Sequence, residues 1–216
     1  MKSYSTILFD LDGTLTDPGR GITNSILYAL DKMGIPKPPR EELYAFIGPP
    51  LKEMFMTHFN LSDAQGEEAL RCYREYFSVD GLFENEVYAG IPELLEALRS
   101  AGTTLLVATS KPEIFTLRIL ERFDLARYFH FVAGSTLDGG RVHKEDVIAY
   151  ALKTYALTDF SQIVMVGDRK FDIEGAKANN LPCIGVTYGY GSKEELEKAG
   201  AIATANTPQE LVHLLL

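Results

Sequence analysis

The sequence predicts an α/β protein: a doubly wound, mostly parallel sheet with a small helical domain inserted after its first strand. Three observations carry this expectation. From residue 91 onward, short apolar runs rich in β-branched residues alternate with amphipathic segments, the pattern of βαβ crossovers. Those runs are apolar without alternation, as strands covered by helices on both faces must be. Residues 18 to about 86 break the rhythm, carrying helical periodicity with no convincing strand.

Each element follows from local pattern. The run that opens "TILFDLDGTLTD" (6–17) is a buried strand ending at Asp10. "GITNSILYALDKMG" is a helix stopped by Gly34, and "IPKPPREEL" is a linker. "EELYAFIG", "PLKEMFMTHF" and "SDAQGEEALRCYREYFS" read as helices, with Gly48-Pro49-Pro50 as a break. Ile91-Pro92-Glu93 opens a helix that Gly102 ends. "TTLLVATS" (103–110) is a buried strand, "PEIFTLRILERF" a helix, "YFHFVAG" a strand and "KEDVIAYALKTYAL" a helix. "SQIVMVGD" is again a strand and "RKFDIEGAKANN" a helix. "PCIGVTYG", "SKEELEKAG", "AIAT" and "TPQELVHLLL" complete the alternation, with Thr207 capping the last helix. Residues 1–16 and 87–216 thus form the α/β core, and residues 17–86 the helical insertion.

Composition narrows the function. Over 216 residues, 46% are hydrophobic and 24% charged, the balance of an ordinary soluble globular protein. A formal net charge of -9 and a pI near 5.0 argue against a nucleic-acid polymer or an anionic membrane as partner. Cys72 and Cys183 show neither disulfide-framework nor metal-site spacing and read as reduced core thiols. Met1-Lys2-Ser3-Tyr4 does not begin a signal peptide, and no apolar stretch approaches the roughly 20 residues a bilayer span needs. A cytoplasmic protein, monomer or homodimer, is expected.

The chemistry gathers at strand ends. In an open parallel sheet, ligands bind beyond the carboxyl ends of the strands, near the switch in strand order. Three such ends carry polar residues: Asp10 and Asp12, then Thr109-Ser110-Lys111, then Gly167-Asp168. Asp10 and Asp12 have the same-face spacing of a strand, roughly 6 to 7 Å apart if it stays extended. Asp172 follows Asp168 on the first turn of the next helix, where the dipole favours a carboxylate. A single strand-end acid is most simply a cap, but four converging carboxylates repel one another unless a cation intervenes. Mg²⁺, which takes oxygen ligands from carboxylates and phosphate, resolves that conflict. Lys144 opens a helix, the unfavourable end for a cation, and is either a solvated lysine or a balance for phosphoryl charge. Thr109 and Ser110 offer hydroxyls. Backbone N–H groups from Leu11 to Thr14 offer further donors, with Gly13 allowing close approach to an anion.

"DLDGT" after an apolar strand, a strand ending in Thr109, Lys144 opening a later helix, and "VGDRKFD" resemble, in order, the four motifs of the haloacid dehalogenase superfamily. The helical insertion is similar to the small cap of its phosphoglycolate phosphatase-like branch, on a Rossmann-like core. The resemblance implies a Mg²⁺-dependent phosphatase working through an aspartyl phosphate. Asp10 would be the nucleophile, and Asp12 the acid toward the leaving alcohol and then the base toward water. Asp10, the Asp12 carbonyl and Asp168 would hold Mg²⁺ with Asp172 nearby, while Thr109 and Lys144 would hold the phosphoryl oxygens. Asp12 favours phosphate chemistry over dehalogenation, whose leaving group needs no such proton. Ser110, where many relatives have Asn, and "VHKED", which lacks a frequent Pro after the lysine, are departures that bear on substrate fit.

The implied substrate is a small soluble phosphomonoester, phosphoglycolate-like or a nucleoside 5′-monophosphate. A phosphomutase of the β-phosphoglucomutase type and an inorganic pyrophosphatase share the site. A phospho-accepting receiver domain is shorter and lacks the insertion. An EF-hand reading of "DLDG" fails because its glycine is misplaced, and a cation pump needs membrane helices. In the cap, Arg20 and Lys52 are either substrate contacts or surface charge. Phe46, Phe55, Phe59, Tyr73, Tyr76 and Phe77 are read as cap core, and His58 and His143 as ordinary helix-end or surface histidines. "GVTYGYG" lacks the spacing of a dinucleotide fingerprint and reads as a loop close to the site.

Overall fold

The structure is a computed structural model that describes residues 4–216. The N-terminal tripeptide read above against a signal peptide lies outside the described residues. In chain order the elements are β1 (Thr6–Phe9), β2 (Thr16–Asp17), α1 (Gly19–Lys32), α2 (Arg40–Leu43), α3 (Leu51–His58) and α4 (Asp63–Tyr76). They continue through β3 (Glu86–Val87), α5 (Ile91–Ser100), β4 (Thr104–Pro112), α6 (Glu113–Arg122), β5 (Phe131–Ser135) and α7 (Lys144–Thr154). The last are β6 (Ile163–Gly167), α8 (Lys170–Ala178), β7 (Cys183–Val186), α9 (Lys193–Ala199), β8 (Ala203–Ala205) and α10 (Pro208–Leu215).

Six strands form one sheet in the order β5-β4-β1-β6-β7-β8, and the registered neighbours are parallel. The doubly wound α/β fold expected from the alternation is therefore present. Apolar side chains explain it: every residue of β1 and β6 is buried. On one face Leu8, Leu106 and Met165 pack with Val147 and Ile148 of α7 and Ile173 of α8. Successive connections run outward from β1 on both sides, so the strand order reverses there. Phe9 pairs with Val107 on β4 and with Val166 on β6, which brings three strand ends to one level. This is the crevice where such sheets bind ligands.

The chain divides into two compact units, one ending at Thr16 and resuming at Val87, the other Asp17–Glu86. In the second unit α1 and α3 both pack on α4. Phe46 meets Phe55 edge-on at 5.6 Å and Tyr73 stacks on Phe77 at 5.2 Å, so these rings build a core as the sequence suggested. Ser62 and Gln65 form a reciprocal capping box at the start of α4. One feature escaped the sequence reading: β2 and β3, two residues each, pair where the chain passes between the units. Two-residue strands leave no periodicity to read. Both cysteines are free and buried, and no helix among the described residues is long and apolar enough to cross a membrane.

Candidate active site

Asp10 follows the last residue of β1, and its N–H donates to the Val166 carbonyl at 2.9 Å, so the ladder holds it to the sheet edge. Beyond it the backbone turns rather than staying extended. The amides of Thr14, Leu15 and Thr16 all donate to the Leu11 carbonyl, and Gly13 N–H donates to Thr16 O at 2.8 Å. This corrects two expectations. Asp10 and Asp12 do not share the face of one extended strand, and the Gly13 and Thr14 amides close the turn rather than waiting for an anion. Gly13 is required for a further reason: its φ is +82°, and a Cβ there would stand 2.1 Å from Asp168 Oδ2.

Four carboxylates and two lysines occupy this edge. Asp10, Asp168 and Asp172 are buried, each offering an oxygen within 4.8 Å of the others. Lys144, on the first turn of α7, lies 2.7 Å from Asp10 Oδ1 and 2.7 Å from Asp172 Oδ1, and donates to the Ala108 carbonyl at 3.1 Å. Its side chain is only 5% exposed, so it is no solvated surface lysine. Asp172 reaches this position because Gly167 has no side chain; a Cβ there would lie 2.1 Å from Asp172 Cγ. Asp12 stands outside the triad and pairs with Lys111 at 2.6 Å. Thr109 is buried at the end of the same strand, its Oγ1 accepting from Lys111 N–H at 3.3 Å, which leaves its own proton available to donate. Ser110 between them is half-buried.

Burial of so many like charges shifts their protonation. Burial, then the Asp172 and Asp10 charges, hold the Asp168 carboxyl well above the usual carboxylate range. Burial raises Asp172 to about 6, against the lowering effect of Lys144. Burial alone would lower Lys144, but Asp10 and Asp172 outweigh it and keep its pKa raised. Burial also raises Asp12, with Lys111 opposing. Burial and mutual repulsion of this kind displace carboxyl pKa values in functional sites and in structural ion-pair networks alike.

The triad fits a hard divalent cation. Its donors are carboxylate oxygens, and Asp168 Oδ1 is buried with no hydrogen-bond partner. Two like charges 4 Å apart repel by about 4 kcal/mol at an effective dielectric near ~20, so a cation between them is favoured. Asp168 Oδ2 is oriented by the Tyr190 N–H at 2.7 Å. The Tyr188 hydroxyl donates to Thr14 O at 3.0 Å, tying "GVTYGYG" to the turn after Asp12.

Arg20 and Lys52 belong to the helical unit. Arg20 is 4.0 Å from Glu84 and largely exposed, and Lys52 is paired with Asp63 at 2.7 Å and Glu67 at 2.6 Å. Sequence reasoning placed Lys111 at the right strand end without a role. Its spacing of two from Thr109 was the available signal. It gave no hint of Tyr190, which acts through its backbone.

Residues 7–186 match the family described as haloacid dehalogenase-like hydrolases. The chain is 50% identical over 193 residues to a protein named 5'-nucleotidase from Pseudomonas aeruginosa, covering 89% of this chain and 87% of that one. It is 39% identical to the tyrosine-protein kinase PtkA of Mycobacterium tuberculosis over 97% of this chain and 72% of PtkA. A crystal structure of a predicted phosphatase from Clostridium acetobutylicum superposes with a TM-score of 0.95 at 48% identity, covering 99% and 98% of the two chains.

Proposed function

This chain belongs to the haloacid dehalogenase-like hydrolases and is an enzyme of their phosphatase kind, and from that premise we propose that it hydrolyses nucleoside 5′-monophosphates through an aspartyl phosphate with Mg²⁺ as cofactor. The observation that carries the chemistry is the Lys144 ammonium held between Asp10 and Asp172 beside Asp168. The choice of nucleotide over phosphoglycolate rests on the 50% identity to a 5'-nucleotidase.

Asp10 attacks phosphorus, and its second oxygen stays paired to Lys144, which aims the nucleophile and offsets its charge. Thr109 Oγ1 donates to a phosphoryl oxygen from a buried, fixed position. Asp12 gives a proton to the departing ribose oxygen as its bond to phosphorus breaks. It then takes a proton from the water that attacks the Asp10 phosphate, and inorganic phosphate leaves. Asp10, Asp168 and Asp172, with the Asp12 carbonyl, would hold Mg²⁺, which when bound neutralises charge on the phosphoryl oxygens. Ser110, next to Thr109 in the chain, is a further hydroxyl that would contact substrate.

The test is a phosphate-release screen with Mg²⁺ or with chelator over nucleoside 5′-monophosphates, phosphoglycolate, sugar phosphates and pyrophosphate. Chelator-sensitive release, highest with nucleotides, is expected. Activity on phosphoglycolate alone would move the substrate assignment, and undiminished release in chelator would remove Mg²⁺.

A second reading rests on the 39% identity to PtkA: a tyrosine hydroxyl replaces water as acceptor of the phosphoryl group on Asp10. Incubation with γ-labelled ATP tests it: transfer to tyrosine leaves label on protein in an alkali-resistant form, whereas label held on Asp10 as an acyl phosphate is lost in alkali and hydrolysis leaves it in inorganic phosphate.

A further inference from the structure

Lys111 is a buried lysine that the scheme above does not use. It sits in an irregular stretch of β4: Ala108 and Pro112 face Ala133 and Ser135 of β5, so β4 carries extra residues between the two pairs. Bulges of this kind re-aim side chains beside active sites. Here the Lys111 N–H closes back onto Thr109 Oγ1 at 3.3 Å. The side chain reaches across to β1's turn and places Nζ 2.6 Å from Asp12 Oδ2. The lysine side chain is 5% exposed and that of Asp12 13%.

Lys144 serves Asp10 and Asp172, while the ammonium that faces Asp12 is that of Lys111. Only one oxygen of Asp12 is held, since Oδ1 is buried with no hydrogen-bond partner. A charge-assisted hydrogen bond of this length between nearly buried groups fixes a carboxylate's direction more firmly than a solvated pair does. Resting on Asp12's acid–base role proposed above, we infer that Lys111 is the positioning residue for proton transfer: by holding Oδ2, it aims Oδ1 at the oxygen that leaves phosphorus and at the water that replaces it. The lysine forms no bond to substrate in this scheme. The proton moves between Asp12 Oδ1 and the reacting oxygen.

The leaving group supplies the test, because nitrophenolate departs without a proton and a ribose alkoxide does not. Wild type, Lys111→Met, Lys111→Arg, Asp12→Asn and the double variant Lys111→Met/Asp12→Asn are compared with Mg²⁺ on a nucleoside 5′-monophosphate and on p-nitrophenyl phosphate. Thermal melts verify folding. Positioned acid–base groups contribute roughly 10²–10⁴-fold, so Lys111→Met should lower kcat on the nucleotide about 10²-fold with KM nearly unchanged. In single-turnover release of nitrophenolate the loss should be about tenfold smaller. Lys111→Arg should recover part of the nucleotide rate. In the Asp12→Asn background, removing Lys111 should cost less than about twofold, because the two act as one unit.

Equal losses with both leaving groups, or a full additional loss in the Asp12→Asn background, would overturn the assignment. If Lys111→Met fails to fold, the same leaving-group asymmetry in Lys111→Arg decides the matter, and symmetric losses there also overturn it. Wild type inactive on every ester would sink the phosphatase reading itself. An active wild type with unaffected Lys111 variants would sink only this inference.

Discussion

Asp10 and Asp12 lie two residues apart and are solved by the fold as separate problems. Asp10 is tied to Lys144 and the buried triad, and Asp12 to Lys111. A carboxylate that attacks phosphorus needs one oxygen unprotonated and open, with its charge offset from the other side, whereas one that moves a proton needs a free oxygen that can take and give it. Replacing Asp10 with Asn keeps the shape and removes the proposed nucleophile. Asp10→Asn should lower phosphate release roughly 10⁴-fold or more while the melting curve stays cooperative. Turnover within tenfold of wild type would remove Asp10 from that role.

Among elements, the decisive one is β1, because both neighbours in the sheet deliver their own chemistry to its end. β4 brings Thr109 and Lys111, β6 brings Asp168, and α8 turns Asp172 back over Gly167. Gly167→Ala would drive a methyl group into the Asp172 carboxyl, so either that carboxyl or the strand end must move. Mg²⁺-dependent activity should fall by at least about tenfold with a smaller effect on p-nitrophenyl phosphate KM, measured by titrating Mg²⁺ against rate. In the helical unit, Ser62→Ala removes the capping box at α4. It should cost about 1 kcal/mol, read as a lower urea midpoint at constant slope.

For the whole molecule, the buried carboxylates link stability to pH and metal. The folded state holds protons on Asp168 and Asp172 that the unfolded chain has already released above its ordinary value of 3.8. A raised carboxyl pKa means that stability from these groups falls as pH rises, for Asp172 from the ordinary value toward about 6. Mg²⁺ held as proposed by these carboxylates would compete with those protons, so its stabilising effect should grow across the same window. Melting temperatures with Mg²⁺ and with chelator at about pH 5 and about pH 7.5 check this, the larger Mg²⁺ shift being expected at the higher pH. A shift independent of pH would separate the metal from these carboxylates.

The sequence alone determined the strand–helix alternation, the helical insertion and the identity of Asp10, Asp12, Thr109, Lys144, Asp168 and Asp172 as the polar residues of strand and helix ends. These were legible because periodicity and strand ends are local properties of the chain. Only the tertiary structure decided that Lys144 is buried between two carboxylates and that Lys111 belongs to Asp12. It also decided that the Gly13 and Thr14 amides close their own turn and that Lys52 is paired within its unit. Lys111 and Asp12 are 99 positions apart, and no local pattern encodes which cation meets which anion across a sheet edge. That choice follows from strand order, from a bulge in β4 and from the space left by glycine at Gly13 and Gly167.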